Sequence, residues 1–361
     1  MSGKILGAVT GLVLGAATVA VTTAGAATAA TSGPQPATAA HWRIVKSVES
    51  NGNGDFTAVV ATGKTTGWAF DSLSAPTAWE RSGSTWTKVA FPGKSNEYVV
   101  SAGATSPSNV WAFTDSFPPG ASQALRWNGH KWSVVATFPG EIGGTSVVAG
   151  NDVWVFGYGY SNGLGVWHYN GKTWSQVGKN LGGGSALSAS DVWAYSTTSV
   201  AHWNGHTWAS TSVKSLLPRK EFLNNPAVTG IIALSASNVY AIGNGNTQDG
   251  GGPVVVLHYD GHKWARVAKG NFDSYGTGQQ ISSDGSGGLW LPMPGASGAP
   301  SSMVHYAAGQ LTQVPLPVSG QKLRIGSVAN VPGTTQELAG GDTHAANNPV
   351  TNVVAVILRF S

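Results

Sequence analysis

The chain has 361 residues with 50 Gly, 18 Pro, 15 Trp and no Cys, and its 20 Lys or Arg against 16 Asp or Glu give a formal charge of +4. A hydrophobic fraction of 41% is enough to bury a sizeable core, which excludes a disordered chain. Without Cys there is no disulfide, thiolate metal site or cysteine nucleophile, and without a run of basic residues nucleic acid is not an expected partner.

Residues 1–40 read as a signal peptide followed by an Ala/Thr-rich linker. Lys4 precedes a weakly apolar stretch from Ile5 to Val21, and small residues at Ala27-Thr28-Ala29 or Ala37-Thr38-Ala39 suit a signal peptidase. That stretch, broken by Gly and Thr, falls short of the roughly 20 apolar residues a membrane span needs. The mature protein is therefore expected to be secreted, extracellular and without a membrane span.

From His41 onward the sequence repeats. A small residue, an aromatic, a small residue and a second apolar residue recur as Gly67-Trp68-Ala69-Phe70, Val110-Trp111-Ala112-Phe113, Val153-Trp154-Val155-Phe156, Val192-Trp193-Ala194-Tyr195 and Val239-Tyr240-Ala241-Ile242, with variants at Leu289-Trp290 and Glu337-Leu338. The anchors 68, 111, 154, 193, 240, 290 and 338 lie 39 to 50 residues apart, a period that fits four short strands per unit, a to d. Later in most units come an aromatic, a turn pair and a Trp, as in Trp127-Asn128-Gly129-His130-Lys131-Trp132 and Tyr259-Asp260-Gly261-His262-Lys263-Trp264. Asn-Gly and Asp-Gly adopt the positive φ of a tight hairpin, so each block predicts strands c and d around a turn.

The seventh unit ends on strand c, Val356-Ile357-Leu358-Arg359-Phe360, with no strand d after it, while His41-Trp42-Arg43-Ile44-Val45 resembles an orphan Trp strand. Joining them closes a ring and places Trp42, Ile44 and Val45 in the core. The expected fold is all-β: a single domain over 41–361, a seven-bladed β-propeller with four antiparallel strands per blade, closed by an N-terminal strand that completes the last blade. Order and spacing resemble kelch-type propellers of the galactose-oxidase central-domain kind, in particular the secreted kelch-like proteins of actinobacteria. Of the Gly pair that follows strand b in kelch repeats, Gly340-Gly341 matches. The resemblance implies the fold; the superfamily includes enzymes, lectins and scaffolds, so function has to come from particular residues. A copper-oxidase site of that family needs a Tyr crosslinked to a Cys, which this chain lacks.

All Trp fall at repeat positions and read as blade packing. The polar position on strand c is Glu80, Arg126, His168, His202, His258, His305 and Arg359. Facing sheets lie about 10 Å apart and metal ligands must come within about 2 Å of one ion, so these His are expected to hydrogen-bond within or between blades, with no metal and no cofactor. Asn51-Gly52-Asn53-Gly54-Asp55 reads as a turn, because a calcium loop needs more carboxylates.

The d-to-a and b-to-c connections share one face of the ring, the loop face. They carry Glu49, Asp55, Asp71, Glu97, Asp115, Glu141, Glu221, Asp249, Asp273 and Asp342. Turn residues Lys64, His130, Lys131, Lys172, His206, His262 and Lys263 fall on the opposite, turn face. Two connections stand out: Thr211 to Thr229 brings Arg219, Glu221 and Phe222 together, and Gly157 to Gly165 offers Tyr158 and Tyr160. With Phe117, Asp249 and Tyr275 they form the expected binding set, since aromatic faces and polar tips suit sugars and protein partners. The predicted function is a non-catalytic, monomeric binding scaffold for a glycan or a cell-surface protein. The alternative is a carbohydrate-active hydrolase or lyase with paired carboxylates on the loop face.

Overall fold

The computed structural model describes residues 40–50, 54–72, 75–116, 120–157, 163–219, 226–245, 252–272, 280–293, 295, 300–317, 321–345 and 353–361. All that follows concerns the compact unit Ala40–Ser361. Its described residues form seven four-stranded antiparallel sheets.

The first strand, β1 (Trp42–Ser50), pairs with nothing that follows it closely in sequence. Blade 1 is β2 (Phe56–Ala61), β3 (Thr66–Asp71), β4 (Thr77–Ser82) and β5 (Thr85–Val89); blade 2 is β6 (Glu97–Ser106), β7 (Asn109–Ser116), β8 (Ser122–Trp127) and β9 (Trp132–Phe138). Blade 3 is β10 (Ile142–Ala149), β11 (Asp152–Gly157), β12 (Val166–Tyr169) and β13 (Trp174–Gly178); blade 4 is β14 (Gly183–Ser188), β15 (Asp191–Tyr195), β16 (Ser199–Trp203) and β17 (Trp208–Ser212). Blade 5 is β18 (Ala227–Ser235), β19 (Asn238–Asn244), β20 (Gly252–Tyr259) and β21 (Trp264–Phe272); blade 6 is β22 (Ser282–Ser283), β23 (Leu289–Met293), β24 (Ser302–Ala307) and β25 (Gln310–Val314). Blade 7 is β26 (Gln321–Asn330), β27 (Glu337–Ala345) and β28 (Val353–Phe360), with β1 as its outermost strand. Trp42 lies opposite Phe360 and Ser50 opposite Val353, so the ring closes as the sequence predicts.

Strand b of every blade is sandwiched between neighbouring blades, which is why β7 is buried through Asp115 on both of its faces. In blades 1 to 4 and 6 its aromatic meets the strand c aromatic and the strand d Trp of the next blade, and in blade 5 Tyr240 meets Tyr306 at 5.6 Å. Trp68 meets Trp127 at 4.9 Å and Trp132 at 5.1 Å, and Trp111 meets Tyr169 at 5.6 Å and Trp174 at 6.1 Å. Trp193 meets Tyr259 at 4.9 Å and Trp264 at 5.9 Å, and Trp290 meets Phe360 at 4.7 Å and Trp42 at 5.4 Å. The closing strand thus supplies the same contact as strand d of blades 2 to 5. Edge-on and tilted aromatic pairs of this kind contribute roughly 0.5–1.5 kcal/mol each beyond the area they bury.

In blades 2 to 6 the rest of the strand b ring is covered from within its own blade. His168, His202, His258 and His305 stack on Trp154, Trp193, Tyr240 and Trp290 at 4.2, 4.2, 4.6 and 4.5 Å. The Nε2–H groups of these four His donate to Asp152, Asp191, Asn238 and Asp284 at 2.9, 2.9, 2.9 and 2.8 Å. Arg126 does the same in blade 2, lying 5.2 Å over Trp111 and donating from Nε to Asn109 Oδ1 at 3.1 Å. These four His and Arg126 are therefore pins within blades, as expected for the His.

Two details depart from the repeat. Ile44 is 39% exposed, contrary to its expected place in the core. Trp42 wedges toward blade 6 and Val45 and Val48 pack toward blade 1, but Ile44 lies on the outermost strand, where adjacent blades splay apart. The second is β22, only two residues long, tied to blade 7 by a side chain. Ser282 Oγ donates to Glu337 Oε2 at 2.9 Å, and Asn330 Nδ2 donates to Glu337 Oε1 at 2.7 Å. Burial pushes the Glu337 carboxyl up to about 8 against the pull of those two bonds, and the Asp284 charge adds to the rise.

Trp42→Ala is expected to cost about 3–5 kcal/mol in urea unfolding, whereas Ile44→Ala stays within about 0.5 kcal/mol of wild type. Equal effects would mean that the closing strand holds by its backbone alone. Glu337 is raised from 4.5 to about 8, so its contribution to stability is complete below 4.5 and lost as pH rises through 8. Glu337→Gln should remove that fall, which reaches up to about 1.4 kcal/mol per pH unit, from the pH–stability curve.

Candidate functional site

At the loop face, the first residues of the inner strands and the last residues of strands b converge near the axis. Asp55 precedes β2, Tyr98 begins β6 beside Glu97, Glu141 precedes β10, and Asp115 lies at the end of β7. With Thr57, Val99, Val100, Ile142 and Gly326 they line a cavity of about 420 Å³.

Asp115 and Asp55 are held by the fold. Asp115 accepts the Ile142 N–H at 3.1 Å on Oδ1 and 3.2 Å on Oδ2, and the Ser122 hydroxyl donates to Oδ1. It is a strut from blade 2 to the first residue of blade 3. Burial pushes its carboxyl up to about 6, opposed by the Ser122 and Ile142 bonds and reinforced by the Glu141 charge. Burial also raises Asp55, where the Ser72 hydroxyl bond at 2.5 Å works against it and the Asp342 charge adds to it. The Tyr98 phenol is raised by burial and then by the charges of Asp115 and Glu141. One guanidinium balances part of this charge. Arg324 donates from Nε to Asp342 at 2.9 and 3.2 Å and from Nη2 at 2.8 Å, with Asp342 buried and Arg324 more than half exposed.

The cavity therefore offers carboxyl acceptors and a phenol, a set that can hydrogen-bond hydroxyls or hold a cationic group, while Arg324 acts on Asp55 from outside its lining. Asp71 and Glu97 serve the fold instead. Asp71 accepts from Thr77 Oγ1 at 2.5 Å and Trp79 Nε1 at 2.6 Å, and Glu97 accepts the Lys94 N–H at 3.1 Å and pairs with its ammonium at 3.7 Å. Glu49 is exposed on outer strand β1, away from the axis.

Of the expected binding set, Phe117, Tyr158, Tyr160, Glu221, Phe222, Asp249 and Tyr275 lie outside the described residues, as do Asp273 and 51–53. Arg219 is exposed just after a 3₁₀ turn, Lys214–Leu216, that is pinned by buried Val213 and Leu217, and it does not line the cavity. Tyr98 and Thr57 were not singled out by sequence. The available signal was an aromatic next to an acid at the start of an inner strand.

A second cavity, about 200 Å³, lies along the axis between the inner strands. Its hydroxyls are consumed between blades: Ser101 bonds Thr145 at 2.7 Å, and Ser146 and Ser185 accept the N–H groups of Ala186 and Ala233, both at 3.0 Å. Gln280 Nε2 reaches across to the Val100 carbonyl at 3.4 Å. Among the described residues no group of three or more His, Asp or Glu is placed to hold a metal ion, and no helix is long and apolar enough to cross a membrane.

No protein-family model and no curated protein matches the sequence. Solved structures do resemble it. YCF48 bound to the D1 peptide is 12% identical with a TM-score of 0.55, over 88% of this chain and 96% of that one. YCF48 from Cyanidioschyzon merolae is 14% identical with a TM-score of 0.54, over 89% and 98%. The WD40 β-propeller domain of Doa1 is 11% identical with a TM-score of 0.55, over 88% and 96%. At these identities the likeness is one of fold.

Side-chain carbonyl NMR should find Asp115 titrating near 6, well above the ordinary aspartate value of 3.8. The stability it contributes is complete below 3.8 and lost as pH rises through 6, so Asp115→Asn should flatten the pH–stability curve in that window. A midpoint at or below 4 would show that the carboxyl is hydrated rather than buried.

Proposed function

We propose that this chain is a secreted, monomeric, kelch-like propeller that binds a glycan or a cell-surface protein on its loop face without chemical turnover. The observation that carries this reading is the axial cavity of about 420 Å³ with Asp55, Tyr98, Asp115 and Glu141 in its wall. Its size falls within the range of small-ligand sites, roughly 300–1,000 Å³, and its carboxyl and phenol oxygens match the hydroxyls of a sugar or the polar groups of a peptide. A rigid ring that carries its variable residues on connections is suited to such a role. The structural likeness to a propeller bound to a peptide agrees with this mode. Secretion follows from the leader-like residues 1–40.

A second reading, a hydrolase or lyase with paired carboxylates, has one observation on its side: Asp115 and Glu141 share the wall of the cavity. Against it, both Asp115 oxygens already accept the Ile142 N–H, and a general acid must give its proton to a substrate. A glycan array and a pull-down with the mature protein test both readings. The folded double variant Asp55→Asn/Glu141→Gln should lose affinity for the recovered ligand by about tenfold or more, as expected when charged hydrogen bonds are removed. Unchanged affinity would remove the cavity as the site. Release of reducing ends from a polysaccharide by the wild-type protein would decide for the enzyme.

A further inference from the structure

At the junction of blades 7 and 1 the repeated aromatic pair is replaced on both sides. In blades 2 to 7 the strand c residue that packs on the preceding blade is Trp127, Tyr169, Trp203, Tyr259, Tyr306 or Phe360. Each lies opposite the strand b residue just before the anchor, as Trp127 lies opposite Val110. In blade 1 that register position is Arg81, opposite Gly67 on one side and Trp86 on the other. Residues directly opposite on neighbouring strands share a sheet face. Trp86 packs with Leu338 and Ile357, so Arg81 faces blade 7. The row that meets it there is Leu338, Arg359 and Arg43. A Cβ on Gly67 would lie 3.6 Å from Leu338 Cδ1, which sets the two rows against each other.

Two guanidinium groups thus meet inside the fold. Arg81 is 4% exposed; its Nε donates to the Gly83 carbonyl at 3.0 Å, and its Nη1 is buried without a hydrogen-bond partner. Arg359 Nη2 donates to Gln336 Oε1, and its Nε is likewise buried without a partner. Among the described residues no ion pair involves Arg43, Arg81 or Arg359. The neighbouring acids belong to other faces. Glu80 shares the row of Trp68, which packs against blade 2, and Glu337 shares the row of Phe360 and is bonded by Ser282 and Asn330. Burial holds the Arg81 guanidinium below its ordinary pKa, and the Arg359 charge lowers it further. A guanidinium keeps its proton near neutral pH, so titration does not relieve this repulsion.

An anion between the two heads does relieve it, and accepts the two N–H groups that the protein leaves over. Burial decides which anion. A carboxylate on another protein or a lipid phosphate does not reach N–H groups enclosed between two blades. The cost of desolvating an ion rises with the square of its charge, which disfavours a doubly charged oxyanion. A monatomic anion accepts from any direction and needs little more room than a water molecule, and half-buried Arg359 offers it a way in. We infer that one chloride ion binds between Arg81 and Arg359 and strengthens the junction of the first and last blades. The site lies beside the Gly83 turn, whose N–H donates to the Thr65 carbonyl at 2.8 Å, on the face of the ring opposite the cavity.

The test is urea unfolding of the protein in sodium chloride against sodium gluconate at equal ionic strength, with the chloride NMR line width as a direct reading of bound ion. The wild type should gain stability from chloride until the effect saturates. Its unfolding constant should fall about tenfold once chloride reaches about ten times its dissociation constant. It should also broaden the chloride signal, and bromide should reverse the broadening. Arg81→Gln and Arg359→Gln should each lose the chloride-specific part of both responses, while Lys131→Gln, at an exposed turn lysine of blade 2, keeps them. Arg359→Gln, at a half-buried position, serves if Arg81→Gln does not fold. The inference fails if chloride and gluconate act alike, which would mean that salt only screens the repulsion. It fails equally if the chloride effect never saturates, if a folded Arg variant retains the wild-type response, or if Lys131→Gln loses it.

Discussion

The contact on which this ring depends is the edge of one blade's aromatic ring against the strand d Trp of the next. A propeller blade is a small sheet with two apolar faces, and neither face is stable in water by itself. Trp68 under Trp132, Trp111 under Trp174 and Trp290 under Trp42 solve that problem with one repeated geometry, at 5.1, 6.1 and 5.4 Å. Closure is not an added device. Because Trp42 arrives from the start of the chain to do what Trp132 or Trp174 does locally, the junction of blades 6 and 7 is made of the same interaction as those of blades 1 and 2 or 2 and 3. Strand β28 is paired by β1 rather than left as the edge of a three-stranded sheet.

The same aromatics explain the row of His residues. A Trp or Tyr whose outer part is covered by the next blade still has ring surface near its own strand c, and a flat imidazole fills it better than an aliphatic chain. His168 stacks at 4.2 Å and is then fixed by Asp152, so the polar ring is paired on one side and stacked on the other. Where the partner is Arg126, a guanidinium does both tasks. At the junction of blades 7 and 1 the pattern lapses: Leu338 stands in place of the aromatic, and Trp86, Val59, Phe56 and Ile357 fill the gap by aliphatic and aromatic packing.

Much of this was legible in the sequence because repetition converts weak signals into strong ones. A single Val-Trp-Ala-Phe run is ambiguous; seven anchors at a near-constant period, most followed by a turn pair and a Trp, identify strands and their order. Trp42 could be assigned because its surroundings copy those of other strand d segments. Ile44 could not, because the splay of outer strands depends on the neighbouring blade and leaves no periodic mark. The cavity was legible only in part. Asp55, Asp115 and Glu141 were placed on the correct face by topology, but which of ten loop-face acids would meet at the axis depends on local irregularities, such as the register shifts between Val99 and Ser101 in β6 and between Ile142 and Gly144 in β10. Tyr98 escaped for the same reason.

The acids at the axis also show how a structural part becomes a chemically poised one. Inner strands begin where neighbouring blades crowd, and the first N–H of such a strand has no ladder partner of its own. The side chain best able to satisfy it from the adjacent blade is a carboxylate, which is the part Asp115 plays toward Ile142. Taking that carboxylate out of water raises its pKa, and Glu141 beside it raises it further. Two demands of the fold, a capped strand and a narrow axis, thereby leave a carboxyl with a midpoint near 6 in the wall of a cavity open to the loop face. Strong perturbation follows here from structural duty alone, so a raised pKa at the axis does not by itself argue for catalysis. What it does argue is that the cavity changes charge in the mildly acidic range, and that its affinity for a cationic or hydroxyl-rich ligand changes with it.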